Sequence, residues 1–292
     1  MENKLSQILA EIDSDKFVYD ENDKQEFIKL IKPAIGFKTS KAFDKLLSIG
    51  SSKLGGQPDL PKSFIWPIYK NEPLTFCGQF NCAEFTHLDI EHKMPKKGII
   101  HIFIYIDQNY PAFLMNKESY KLAYTPSIEN LVRTEFPSNY FKEGIFEVAS
   151  ISFYEHYSIP DTLGYKMEKL RSNNPSYAQY VNFIRDIEDI INDITVHQEN
   201  DGRHQILGES YMNMDFSFAL TSLDFKSQEE YENSLDKVID LQKKYFPIIQ
   251  FCYNDANTNM NKFGDGTAGF GLKSEDLFVL NFDKTSMGFQ GS

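Results

Sequence analysis

Residues 98–106 form a run that is apolar on both of its alternating faces and too short to cross a membrane. Ile100, Ile102, Ile104 and Ile106 share one face, and Ile99, His101, Phe103 and Tyr105 share the other. A strand with two apolar faces must be covered from both sides, so this run predicts a central strand in a sheet with layers above and below. A chain of 292 residues, 41% of them hydrophobic and including 25 Phe and 16 Tyr, can supply that cover without disulfides or a structural metal.

Around this strand the pattern alternates irregularly. Leu5, Ile8, Leu9 and Ile12 recur at helical spacing, and a second helix is expected from Asn22 to about Ile31, stopped by Pro33. Strands are expected over residues 74–81, 119–124, 144–157 and 245–253. Helices are expected after Pro175, with Ile184, Ile187 and Ile191 in the apolar stripe, and over residues 227–243. No strand–helix–strand unit repeats at regular length, which favours α+β over a doubly wound α/β fold. The expected organisation is one large mixed domain: a helical preface over residues 1–50, then a body over 51–292. Two weakly related halves of that body, about 51–160 and 200–292, are suggested by an echo between Cys77-Gly78-Gln79-Phe80 and Ile248-Ile249-Gln250-Phe251.

Charge narrows the function classes. Lys and Arg total 30 against 42 Asp and Glu, a net charge of -12, which opposes the counterion release that drives nucleic-acid binding. The three cysteines, Cys77, Cys82 and Cys252, are odd in number and sit in apolar runs, so they read as buried thiols of a reducing compartment. No targeting core and no membrane-length apolar run is present, and a cytoplasmic protein is expected. No cofactor is implied. His197 and His204 flank a turn, His87 and His92 lack a third ligand, and residues 255–261 lack the glycine and glutamate of a calcium loop, which leaves a solvated polar loop.

Two glycine-rich segments stand out: residues 52–61, Ser-Lys-Leu-Gly-Gly-Gln-Pro-Asp-Leu-Pro, and residues 263–269, Phe-Gly-Asp-Gly-Thr-Ala-Gly. The first segment, followed by Trp66-Pro67, Pro73-Leu74, residues 77–81 and residues 95–103, resembles the signature of the YwqG-like family of uncharacterised bacterial proteins. Ile249-Gln250, Gly264-Asp265, Gly269, residues 275–277, Phe282 and Gln290 continue the resemblance. It implies an intracellular α+β protein with a duplicated, interwoven core, and it carries no reaction or substrate. The chain departs from the family pattern at residues 204–210, where a second Gly-Gly-x-Pro-like turn lacks one glycine and the proline, and at Gly266-Thr267, which look inserted.

The leading functional expectation is a module that binds a small molecule or a peptide in a cleft between the Gly55-Gly56 and Gly264-Asp265 turns. Lys53 and Asp59 would line one side, and Gln79, Gln250 and Asp265 the other. Paired glycine amides can cradle an anion, and a glutamine inside an apolar strand needs partners for its amide, either structural or from a ligand. An acid–base hydrolase using Asp265 with His204 or Asp59 is the enzymatic alternative. An interaction scaffold using the acidic helix face of residues 186–193 is the third. Cys252 with His204 lacks an orienting group, and an inert buried thiol is the expected reading.

Overall fold

The computed structural model describes residues 4–13, 21–106, 116–161, 177–195, 204–211, 214–223 and 227–291. Pro175 and His197, singled out above, lie outside them. In chain order the strands are β1 (Lys32–Lys41), β2 (Lys53–Leu54), β3 (Asp59–Pro61), β4 (Ile68–Tyr69), β5 (Glu72–Pro73), β6 (Thr75–Asn81), β7 (Ile99–Ile104), β8 (Tyr120–Thr125), β9 (Leu131–Arg133), β10 (Ala149–Ser158), β11 (Gln205–Leu207), β12 (Tyr245–Cys252), β13 (Thr267–Lys273) and β14 (Ser286–Gln290). The helices are α1 (Lys4–Ile12), α2 (Glu21–Ile28), α3 (Cys82–Phe85), α4 (Tyr177–Thr195), α5 (Met214–Leu223), α6 (Gln228–Glu232), α7 (Leu235–Gln242) and α8 (Ser274–Phe278).

Ten strands form one sheet in the order β14-β13-β12-β11-β1-β10-β2-β6-β7-β8, with every pairing antiparallel. The order is palindromic about the β1–β10 pair. Each long leading strand crosses over: β1 pairs with β11 of the C-terminal half, and β10 pairs with β2 of the N-terminal half. The mixed, interwoven α+β domain expected from the sequence is therefore what the chain forms.

The registers repeat across the palindrome. Lys53 faces Gln79 as Gln205 faces Gln250, and a bulge at Phe76/Gly78 in β6 matches one at Pro247/Ile249 in β12. Gly55 and Gly56 (φ 65° and 67°) correspond to Leu207 and Gly208 (φ 61° and 77°), so both halves leave the short strand through two left-handed residues. Gly55 cannot be replaced without strain, because a Cβ there would sit 2.1 Å from the Glu147 carbonyl oxygen.

The sheet curls until its ends nearly meet, which gives a nearly closed barrel. Tyr120 on β8 donates its hydroxyl to the Thr285 carbonyl (3.2 Å), Lys121 pairs with Asp283, and Tyr124 packs on Phe282 with centroids 5.2 Å apart. The interior is apolar: Ile100, Ile102 and Ile104 of β7 meet Phe37, Phe80, Phe251 and Phe270 there. The other face of β7 behaves as its pattern requires: Phe103, and Tyr105 just past the end of the strand, are covered by Phe64, Trp66 and Tyr69. Helices α1, α2 and α4 pack an isoleucine-rich cluster outside, around Tyr157 of β10.

Two differences from the sequence reading matter. β1 lies at the centre of the sheet although its apolar run is only Ala34–Phe37, with Lys38, Thr39, Ser40 and Lys41 following it. The helix expected over residues 227–243 is broken into α6 and α7 at Asn233-Ser234, two residues that compete for turn hydrogen bonds within a helix. No described helix is long and apolar enough to cross a membrane.

Candidate functional site

The N-terminal glycine turn sits over a buried ion network. Lys53, fully buried, donates from Nζ to Asp44 Oδ1 and to the Gln57 carbonyl, both at 2.5 Å. Arg133 donates from Nε to Asp59 Oδ1 (2.5 Å) and from Nη1 to Asp44 Oδ1 (3.1 Å) and the Asp44 carbonyl. Asp59 Oδ2 also accepts from the Gly50 amide (2.9 Å) and from Gln79 Nε2 (2.8 Å). Gln79 Oε1 accepts from the Asp59 amide (2.8 Å), and His101 donates from Nε2 to the Asp59 carbonyl (2.8 Å).

These contacts set the ionisation of each group. Burial pushes the Asp59 carboxyl up, but Arg133, the Gly50 amide, Lys53 and Gln79 outweigh it and hold it below its ordinary range. Burial draws Lys53 down, with Asp44 and Asp59 opposing. Burial likewise lowers His101 to about 4, so the ring is neutral at pH 7. Two cations face two carboxylates, and the balance is neutral within the network.

Of the residues marked in the sequence, the structure therefore gathers Lys53, Gly55, Gly56, Asp59 and Gln79 in one place. Their polar groups are spent on one another. The Gly55 amide donates to the Cys77 carbonyl (2.9 Å) and the Gly56 amide to the Phe146 carbonyl (3.0 Å), so neither is free to cradle an anion. Gln250 sits at the corresponding place in the other half, where its Oε1 accepts from the Tyr211 amide (2.9 Å) and its Nε2 donates to the Glu209 carbonyl (3.1 Å). Tyr211 stands six residues after Gln205, as Asp59 stands six after Lys53, so the two glutamines staple matching turns.

Gly264 and Asp265 lie on an exposed turn between Phe263 and β13. Glu147 links the Gly55 turn to the loop over residues 255–261: its amide donates to Asn259 Oδ1 (2.9 Å), and its carbonyl oxygen fills the space a Cβ on Gly55 would need. His204 uses both ring nitrogens elsewhere. Its Nδ1 accepts from the Cys252 amide (3.3 Å) and its Nε2 donates to Asp255 Oδ2 (2.9 Å), which also takes the Thr39 hydroxyl (2.5 Å). Burial raises the Asp255 carboxyl, but the bonds from His204, Thr39 and the Asn257 amide bring it below its ordinary value. The loop over residues 255–261 is thus anchored, not solvated throughout: Asp255 and Thr258 are buried. Burial raises the Cys77 thiol far up and Cys82 to about 12. Among the described residues no group of three His, Cys, Asp or Glu side chains is placed to hold a metal.

An open hollow lies elsewhere, at the seam of the barrel. It is a groove of about 460 Å³ walled by Ile65, Trp66, Pro67 and Ile68 on one side and by Leu122 and Phe282 on the other. Lys117, Glu118, Lys121 and Asp283 line its lip, and Thr285 lines it too. Ile65 is 88% and Ile68 65% exposed, while Trp66 is fixed by donating Nε1 to the Leu74 carbonyl (2.9 Å). Phe64 and Trp66 pack on Phe103, Ile65 is exposed, and Trp66 also forms a wall of the groove. Asp44, Arg133 and Thr285 escaped notice, since none belongs to a motif and each acquires its partners from distant sequence.

Fold and site together define a nearly closed, antiparallel α+β barrel built from two strand-swapped halves, with an ion-paired glycine turn in one half and an open groove at its seam. The chain belongs to the family described as Domain of unknown function (DUF1963), which matches residues 52–290. The YwqG-like resemblance of the same segments agrees with that membership. No curated protein matches the chain.

Proposed function

We propose that the protein is a binding module for a small molecule or a peptide, with the seam groove as its site. The observation that carries this is the contrast between two polar regions. The glycine-turn network is internally hydrogen-bonded around the fully buried Lys53 and Asp59, whereas the groove combines exposed isoleucines, a fixed indole and charged lips in a hollow of ligand size. In this reading Lys53, Asp59, Gln79 and Arg133 hold the N-terminal half rigid, and the groove is preferred to the cleft first expected beside Gly264-Asp265 because the Gly55 and Gly56 amides are already bonded within the fold.

Trp66 is the chain's single tryptophan, so its fluorescence reports the groove alone. A metabolite and peptide screen should yield ligands that shift Trp66 emission saturably, and Ile68→Glu should abolish the shift while leaving the unfolding midpoint unchanged, because Ile68 is exposed. If no compound moves Trp66, or if Ile68→Glu binds as well as wild type, the proposal fails.

A further inference from the structure

Three loops meet at one end of the barrel. Asn81 of β6 faces Ile99 of β7, which faces Thr125 of β8, so residues 82–98 and 126–130 adjoin the sheet along one row. Residues 42–52 join them. Asn81 Nδ2 donates to the Gly50 carbonyl (2.9 Å), the Ser52 amide donates to Glu84 Oε2 (3.1 Å), and the Ile128 Cβ lies 3.4 Å from where a Gly50 Cβ would stand. These loops display apolar side chains: Phe43, Leu46, Ile49, Ile90 and Ile128 are between 41% and 74% exposed. Phe43 and Leu46 stand three residues apart around the 3-10 turn Asp44–Leu46, a spacing that puts them on one face. Apolar exposure gathered in this way marks a contact surface. None of these residues lines the seam groove, so the surface stands apart from the binding role proposed above.

The charge of this end departs from that of the chain. Lys45, Lys96 and Lys97, with Lys41 at the end of β1, are exposed and make no ion pair among the described residues. Most acids on the same loops are already engaged: Asp44 by Lys53 and Arg133, Glu84 by the Ser52 amide, Asp89 by the Met94 amide (2.7 Å) and Glu91 by Lys93 (2.8 Å). Glu129 is left against four lysines, a local positive surplus in a chain of net charge -12. At physiological salt, exposed charges more than about 8 Å away are largely screened, so these lysines and not the net charge set the attraction at this end. The apolar turn is also held in place: Arg133 donates to the Asp44 and Leu47 carbonyls, and the Gly50 amide donates to Asp59. A loop whose backbone is already fixed loses little freedom on contact.

We infer that this end of the barrel docks on the surface of an anionic lipid bilayer, with Phe43, Leu46 and Ile49 entering the headgroup region and Lys45, Lys96 and Lys97 facing the lipid anions. Apolar tips among lysines hold a protein to a membrane surface without a spanning helix, and no described helix of this chain could span one. Tips carried on three separate loops need no matching recess, and a bilayer offers none. A second copy of the chain fits poorly, since a two-fold contact of this end with itself sets lysines against lysines.

Flotation of the full chain with lipid vesicles tests this. Vesicles of phosphatidylcholine with about a third phosphatidylserine should carry the protein, pure phosphatidylcholine should carry far less, and added salt should release it. Lys96→Ala with Lys97→Ala should weaken binding about twentyfold, from about fivefold for each lysine. Phe43→Ser with Leu46→Ser should weaken it about tenfold or more through lost apolar contact. Lys237→Ala with Lys244→Ala, exposed lysines on and just after α7, should change nothing. All three double variants should keep the wild-type urea midpoint, because the altered side chains are exposed. No binding to anionic vesicles, equal binding to neutral ones, or an equal loss from both lysine pairs would overturn the assignment. Unchanged binding in the Phe43 and Leu46 variant would do the same. So would a polyglutamate peptide or a single-stranded oligonucleotide that binds more tightly than the vesicles, which would make this end a reader of charge on another macromolecule.

Discussion

Replacing Asp59 with asparagine tests whether the ion network is the rigid frame of the N-terminal half. Its carboxylate accepts from Arg133 Nε (2.5 Å), the Gly50 amide (2.9 Å) and Gln79 Nε2 (2.8 Å), all in a fully buried position. Asparagine fills the same volume, but it turns an NH2 toward those donors and leaves Lys53 and Arg133 with Asp44 as their one carboxylate. Removing one partner from a buried charge network costs about 3–5 kcal/mol. For a chain of this size that corresponds to a melting point lowered by roughly 5–10 °C. The pH dependence has a definite sign. Because the folded Asp59 carboxyl titrates below its ordinary value of 3.8, its contribution is complete above that pH and is lost as the pH falls through the lower folded value. Urea unfolding of wild type and Asp59→Asn should therefore differ by the full amount at pH 7 and converge in acid. Combining Asp59→Asn with Arg133→Met should cost less than the sum of the two. A loss under about 1 kcal/mol at pH 7, or a gap that persists unchanged into acid, would refute a structural role for the network.

Three further outcomes are expected from the same geometry. His101 is neutral in the fold, with its value lowered from 6.5 to about 4, so stability should be full above pH 6.5 and erode by about 3 kcal/mol as the pH falls to 4; His101→Gln should flatten that part of the urea-midpoint profile. Gly269→Ala should destabilise by about 1–3 kcal/mol, because the new Cβ would lie 1.8 Å from Met214 Sδ, and Met214→Ala in the same chain should recover part of the loss in chemical denaturation. All three cysteines are buried and free, so the native protein should resist a thiol-reactive disulfide reagent and react fully only when unfolded.

How much of this was legible depended on whether a residue's role is set by its neighbours in the chain. The two faces of residues 99–104 were readable because strand alternation is local, and the apolar stripe of α1 was readable for the same reason. The swapped position of β1 was not. Its central place comes from pairing with β10, over a hundred residues away, and several of its own side chains are polar. The break at Asn233-Ser234 was visible as two poor helix formers, but the charged helical pattern on both sides masked it. Within the candidate site Lys53, Asp59 and Gln79 drew attention through the glycine turn, while Arg133, which ties them together across 74 residues, closes a three-residue strand with no pattern of its own.

The palindrome shows why the groove belongs to one half. Gln250 faces Gly269 where Gln79 faces His101, and Gly269 then faces Gly288 where His101 faces Ala123. On the C-terminal side Gly269, Gly271 and Gly288 remove side chains from the outer face, so Met214 and Phe218 of α5 lie directly on the sheet. On the N-terminal side His101 and Phe103 keep that face bulky, a helix cannot approach as closely, and the segment carrying Phe64, Trp66 and Tyr69 covers it instead. A helix seals its face through continuous packing, whereas an irregular segment leaves its far edge open beside β8, and that edge is the wall of the groove. His101 and Phe103 in place of Gly269 and Gly271 thus go with a face covered by an irregular segment in one half and by a packed helix in the other.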